Sequence, residues 1–106
     1  MQRVHIIFTG GTIAMRTNAE GLLVPASSGE ELLQAIPQLE KIADITTEQL
    51  CNVASAHLTP EIWLQTRRAI ITACADEDVA GVILVQGTDT LEETAFFLDA
   101  SLSTEN

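Results

Sequence analysis

Residues 3–12 read RVHIIFTGGT, and this stretch decides the fold. Val4, Ile6, Ile7 and Phe8 make an apolar run too short for an ordinary helix and too continuous for a half-exposed strand, so a buried strand is expected. The run stops abruptly at Thr9-Gly10-Gly11-Thr12. The same pattern recurs at residues 80–90, where AGVILVQ runs into Gly87-Thr88-Asp89-Thr90. Strands of this kind, each followed by glycine and hydroxyl residues, belong to parallel sheets whose ligand crevice lies beyond the strand carboxyl ends.

Between the two runs the chain alternates. Residues 9–27 mix glycine, small polar residues and one proline, and read as a long loop that is either functional or mobile. Ser28-Gly29-Glu30-Glu31 has the form of a capping box. The helix it opens carries Leu32, Leu33 and Ile36 on one face and is stopped by Pro37. A second strand is expected at residues 49–55, QLCNVAS. Thr59 is placed as the N-cap of the next helix and Pro60 as its first residue. Ile62, Trp63, Ala69, Ile70, Ala73 and Cys74 follow helical spacing there, with Arg67 and Arg68 beside the stripe. Ala75-Asp76-Glu77-Asp78 reads as an exposed connection. Thr90-Leu91-Glu92-Glu93 is a second capping box, and the last helix carries Ala95, Phe96, Leu98 and Leu102. The order β-α-β-α-β-α predicts a doubly wound α/β domain over residues 1–106, with a parallel sheet and right-handed crossovers. A three-stranded parallel sheet leaves open edges, so either the protein is expected to continue past Asn106 or another chain to complete the sheet.

Composition bounds the partners. The chain of 106 residues has 46% hydrophobic residues, enough for a core, and 15 acidic against 5 basic residues, a formal charge of −10. Such a surface serves solubility and repels nucleic acid and anionic lipid. No apolar run reaches the roughly 18 residues of a membrane span. The chain enters its first strand at Arg3, leaving no room for a secretory signal, and a cytoplasmic protein is expected. Cys51 and Cys74 form no Cys-x-x-Cys pair and read as buried free thiols in a reducing compartment. His5 and His57 lie in no metal-ligand spacing.

The glycine clusters carry the chemistry. Gly10-Gly11 lets the backbone turn sharply and holds Thr12 close to any ligand. Adjacent glycines with no third at the required spacing fail the dinucleotide fingerprint, and the lysine of a phosphate-binding loop is absent. On spacing alone Thr12 is either a hydroxyl satisfied in a tight turn or a nucleophile. Thr88 and Asp89 precede a helix, where backbone N–H groups would stabilise an oxyanion. Asp89 either caps that helix or binds a substrate ammonium; Thr90 reads as its N-cap. Ser55 is a serine in a turn, and His57 reads as a surface histidine.

Thr9-Gly10-Gly11-Thr12-Ile13-Ala14 together with Gln86-Gly87-Thr88-Asp89-Thr90-Leu91-Glu92-Glu93-Thr94-Ala95 closely resembles the bacterial-type L-asparaginases. Asn52-Val53-Ala54-Ser55 and Leu58-Thr59-Pro60-Glu61-Ile62-Trp63 resemble that family's intervening region, so the likeness covers essentially the whole chain. The resemblance implies an amidohydrolase in which Thr12 attacks the side-chain amide carbon of asparagine, forms an acyl-enzyme and releases ammonia. It implies that Thr88 acts with Asp89 and with a lysine further along the chain. It also implies that Asp89 holds the substrate α-ammonium, that Ser55 contacts the α-carboxylate, and that Gly11 and Gly87 line the substrate. No metal or organic cofactor is implied, and the complete enzyme is expected to be a homotetramer made of intimate dimers. Three departures stand out. The only lysine here is Lys41, the chain has no tyrosine, and Ala56-His57 follow Ser55 where secreted-type relatives carry a glutamine and an aspartate. The 106-residue chain by itself is therefore expected to be inactive. Residues 10–27 are expected to include a lid. Rival readings are a module that binds a small amino acid or anion without turnover, and an amidotransferase component that supplies ammonia.

Overall fold

The computed structural model describes residues 1–10, 15–17, 19–21, 23–25, 33–53 and 55–103. Its centre is strand β1 (Arg3–Phe8), as the opening run predicts. A short hairpin follows, β2 (Met15–Thr17) and β3 (Leu23–Pro25), paired antiparallel with Arg16 opposite Val24. Gly21 turns with φ +81° between them. This hairpin lies inside the segment read from sequence as a plain loop. At three residues per strand it is too short to show periodicity.

Strand β4 spans Asp44–Gln49, not residues 49–55. The apolar bias of QLCNVAS points to the wrong segment. The true strand, DITTEQ, is an outer strand among those described, built of the β-branched Ile45, Thr46 and Thr47 between polar residues and only half-buried. Across the β1–β4 pair, Thr46 Oγ1 lies 2.8 Å from His5 Nδ1 and Glu48 Oε1 3.2 Å from His5 Nε2. Residues 50–53 instead form the connection that leaves β4, and Ser55–His57 make a single 3-10 turn. The helix expected before Pro37 is described only at Leu33 and Gln34, which are helical, and Pro37 opens a 3-10 turn to Lys41. The Ser28 capping box lies outside the described residues.

Helix α1 (Pro60–Cys74) starts as its sequence dictates. Thr59 is extended at φ −109°, ψ 162°, and its hydroxyl accepts the Ile62 N–H at 3.3 Å. Thr59→Ala is expected to cost about 1 kcal/mol, read as a lowered urea midpoint at unchanged slope. Strand β5 (Val79–Val85) and helix α2 (Leu91–Ser101) complete the described elements.

The three long strands form one parallel sheet in the order β4-β1-β5. Val4 pairs with Ile45 on one side and Gly81 on the other, and Phe8 with Gln49 and Val85. Flanked on both sides, β1 carries the core: Ile6, Ile7 and Phe8 are buried, with Ile7 fully so. The helices α1 and α2 touch through a Trp63–Phe97 stack, centroids 5.6 Å apart, and Arg67 donates Nε–H and Nη2–H to the Ser101 carbonyl at 3.3 and 3.1 Å. Phe97 therefore packs inward, while Phe96, one of the apolar residues read along this helix, is 74% exposed. Leu91, Ala95, Phe96, Phe97 and Leu98 surround most of α2, so its periodicity singles out no face. The expectation of an α/β fold built on a parallel sheet holds.

Candidate active site

From β1 the chain leads to β4 on one side, then returns past β1 to β5 on the other. The direction of winding reverses between β1 and β5, and in open α/β sheets ligands bind at such a point, beyond the carboxyl ends of the strands. Three segments meet at this edge.

The first is Thr9-Gly10. Thr9 is 2% exposed, and it is tied in both directions. Its N–H and its hydroxyl both donate to the Val85 carbonyl, at 3.0 and 3.3 Å. Its own carbonyl accepts the Val53 N–H at 2.8 Å and the Cys51 S–H at 3.6 Å. Burial pushes the Cys51 thiol above its ordinary range, which keeps it protonated and donating. Gly10 then takes φ +94°, a region open to glycine and strained for other residues. A Cβ at Gly10 would sit 2.6 Å from Asn52 Oδ1 and 2.7 Å from the Val53 nitrogen. Gly11 and Thr12 lie outside the described residues.

The second segment is 50–53, anchored by the Leu50 N–H to the Phe8 carbonyl at 2.9 Å. It leads to Ser55, which opens the 3-10 turn and does not close a strand as expected. His57 ends that turn and is exposed.

The third is Gln86–Asp89. Gln86 and Gly87 are buried, and Gln86 donates its side-chain N–H to the Gly87 carbonyl at 3.2 Å. Thr88 and Asp89 are exposed at the approach to α2, whose first turn holds Glu92 and Glu93. Thr90 occupies the N-cap position but its hydroxyl makes no cap hydrogen bond. Its ψ of 22° lacks the extended conformation that turns a cap side chain back on the helix, as Thr59 does. The capping box expected at Thr90 is therefore not formed. The helix N-terminus beside Thr88 and Asp89 favours anionic groups.

Thr9, Asn52 and Gln86 are the residues that sequence reasoning passes over. Gln86 gives a signal, a polar side chain closing an apolar run. Asn52 gives none, because its nearness to Gly10 joins positions far apart in the chain. Among the described residues no three His, Cys, Asp or Glu side chains cluster as a metal site would require.

Residues 3–106 match the model of the amino-terminal asparaginase domain. The chain belongs to the asparaginase family. It is similar to L-asparaginase 2 of Bacillus subtilis (strain 168), 34% identical over 109 residues, covering 99% of this chain and 29% of that protein. It is 38% identical over 101 residues to a glutamyl-tRNA(Gln) amidotransferase component of Metallosphaera sedula, covering 94% of this chain and 23% of that one. Its structure is similar to that of the probable cytoplasmic L-asparaginase from Campylobacter jejuni, with a TM-score of 0.79 and 38% identity over 92% of this chain and 28% of that one. This asparaginase-family chain thus spans less than a third of the length of these relatives. No helix among the described residues is long and apolar enough to cross a membrane.

Proposed function

We propose that this chain supplies the nucleophile-bearing part of an asparaginase site that hydrolyses the side-chain amide of L-asparagine to aspartate and ammonia. The observation that carries this reading is the meeting of Thr9-Gly10, residues 50–53 and Gln86–Asp89 at one sheet edge, where the winding reverses. Gly11 and Thr12 continue directly from Gly10.

In this reading the Thr12 oxygen attacks the amide carbon, the C–N bond breaks and ammonia leaves with a proton. Water then hydrolyses the ester, returning the Thr12 hydroxyl and releasing aspartate. A threonine hydroxyl is a weak nucleophile and needs a base. Thr88 and Asp89 supply part of the proton path, with a lysine from beyond residue 106. Asp89 holds the α-ammonium, Ser55 the α-carboxylate, and Gly11 and Gly87 let the substrate lie against backbone. The chemistry needs no cofactor. A homo-oligomer, a dimer of dimers, would cover apolar side chains left open here, such as Phe96 and the 50% exposed Ile83. The cytoplasmic assignment draws support from Cys51 and Cys74, neither of which is in a disulfide.

Ammonia release from L-asparagine and L-glutamine tests the reading. It is measured on the 106-residue chain and on the same chain extended with the remaining length of the B. subtilis relative. The extended enzyme is expected to release ammonia and the short chain not to; silence of both refutes the reading. In the extended enzyme Asp89→Ala is expected to weaken substrate binding roughly 10- to 100-fold, the worth of a charged hydrogen bond. An unchanged dissociation constant removes Asp89 from that role.

The likeness to the M. sedula amidotransferase component favours a second reading, ammonia supply to a tRNA-bound acyl group. The net charge of −10 opposes it, since it repels the phosphates of tRNA. Ammonia release that appears only with a partner chain and tRNA would select it.

A further inference from the structure

We infer that Gln86 is a positioning residue for Thr88, a role that rests on the asparaginase reading above. Thr88 stands in the link between β5 and α2, and three carbonyls along that link are held in turn. The Val85 carbonyl accepts the Thr9 N–H at 3.0 Å and the Thr9 hydroxyl at 3.3 Å. The Gly87 carbonyl accepts the Gln86 side-chain N–H at 3.2 Å. The Thr88 carbonyl accepts the Leu91 N–H at 3.3 Å. Of these three holds, only the one on Gly87 rests on a side chain alone. Gln86 is 6% exposed, so water competes little for its bond. Gly87 has no Cβ to restrain the peptide that follows it.

The peptide group that carries the Gly87 carbonyl also carries the Thr88 N–H, and in a planar trans peptide the two point opposite ways. Gln86 therefore sets the plane of the peptide that enters Thr88, and the Leu91 N–H sets the plane of the one that leaves it. Thr88, itself exposed, is held through its backbone from both sides. Without the Gln86 donor the Gly87–Thr88 peptide can turn. Thr88 then loses its placement, while Asp89, past the peptide held by Leu91, keeps its own. The loss falls on the chemical step and spares substrate binding. An error of about 1 Å at a reacting group costs on the order of 100-fold in rate. Gln86→Met keeps the length and volume of the side chain and has no donor. In the extended enzyme it is expected to lower kcat roughly tenfold or more while KM stays within about twofold. A merely structural role would lower thermal stability without splitting kcat from KM.

The inference is overturned if Gln86→Met leaves kcat unchanged, or if KM rises at constant kcat. Where Gln86→Met does not fold, Gln86→Glu carries the test, because it keeps the shape and only its protonated carboxyl can donate to the Gly87 carbonyl. Its kcat is expected to fall as pH rises and the new carboxyl ionises, along a limb absent from the wild-type profile. A profile like that of wild type overturns the inference. An extended enzyme that is silent on asparagine even as wild type counts against the asparaginase reading alone. Crystal structures of that enzyme and of its Gln86→Met variant then decide the role of Gln86. The Gly87 carbonyl is expected on Gln86 Nε2 in wild type and turned away from position 86 in the variant. A Gly87–Thr88 peptide lying unchanged in the variant overturns the inference.

Discussion

Gly10→Ala is expected to destabilise the chain by about 2–4 kcal/mol, combining backbone strain with overpacking. Two independent causes act at this position. The φ of +94° is unfavourable for any residue with a Cβ. The new methyl would also lie 2.7 Å from the Val53 nitrogen and 3.0 Å from the Asn52 carbonyl carbon. Asn52 Oδ1 could rotate away, but the other two atoms are backbone. Moving them breaks the Val53 N–H to Thr9 carbonyl bond that ties the end of β1 to the segment after β4. Thermal unfolding checks the expectation. A loss of this size lowers the midpoint by roughly 10 °C or more, and a midpoint within about 2 °C of wild type would contradict it.

Thr12→Ala in the extended enzyme is expected to lower kcat by at least about a thousandfold, as the loss of a covalent nucleophile does. Asparagine binding should change little, because Asp89 and Ser55 hold the opposite end of the substrate. The acyl-enzyme offers a second readout. Hydroxylamine attacks the ester carbon in place of water and yields aspartyl hydroxamate, which Thr12→Ala should not form. Near-normal turnover by Thr12→Ala would move the nucleophile elsewhere. Thr12→Ser keeps the oxygen and should retain measurable activity.

The parts of the fold that announce themselves in sequence are those dominated by one physical signal. RVHIIF is legible as a strand because its carboxyl half, Ile6-Ile7-Phe8, is an unbroken apolar run, as a strand flanked on both sides requires. The start of α1 is legible because Thr59-Pro60 meets both the hydroxyl and the φ requirements of a helix entrance. Strand β4 is hidden because an outer strand needs only half its residues apolar, and the neighbouring QLCNVAS offers a stronger but false signal. Thr90 and Phe96 mislead for opposite reasons. Thr90 has the right residue type but the wrong ψ, and Phe96 lies on a helix apolar almost all round. At the site, Gly87, Thr88 and Asp89 fall where the sequence places them, past a strand and before a helix. Ser55 lies in a turn, as its surroundings imply, though no strand leads into it. Asn52 is illegible because Gly10, which it lies beside, is 42 positions earlier in the chain.

Among the described residues strand β1 pairs with residues 44–49 and 79–85, both far along the chain. During synthesis it therefore emerges from the ribosome ahead of both partners and finds the second only after Val85 has been made. Parallel pairing across such distances closes slowly. Until then Ile6, Ile7 and Phe8 travel as an unprotected sticky segment, which makes the nascent chain a natural client for chaperones.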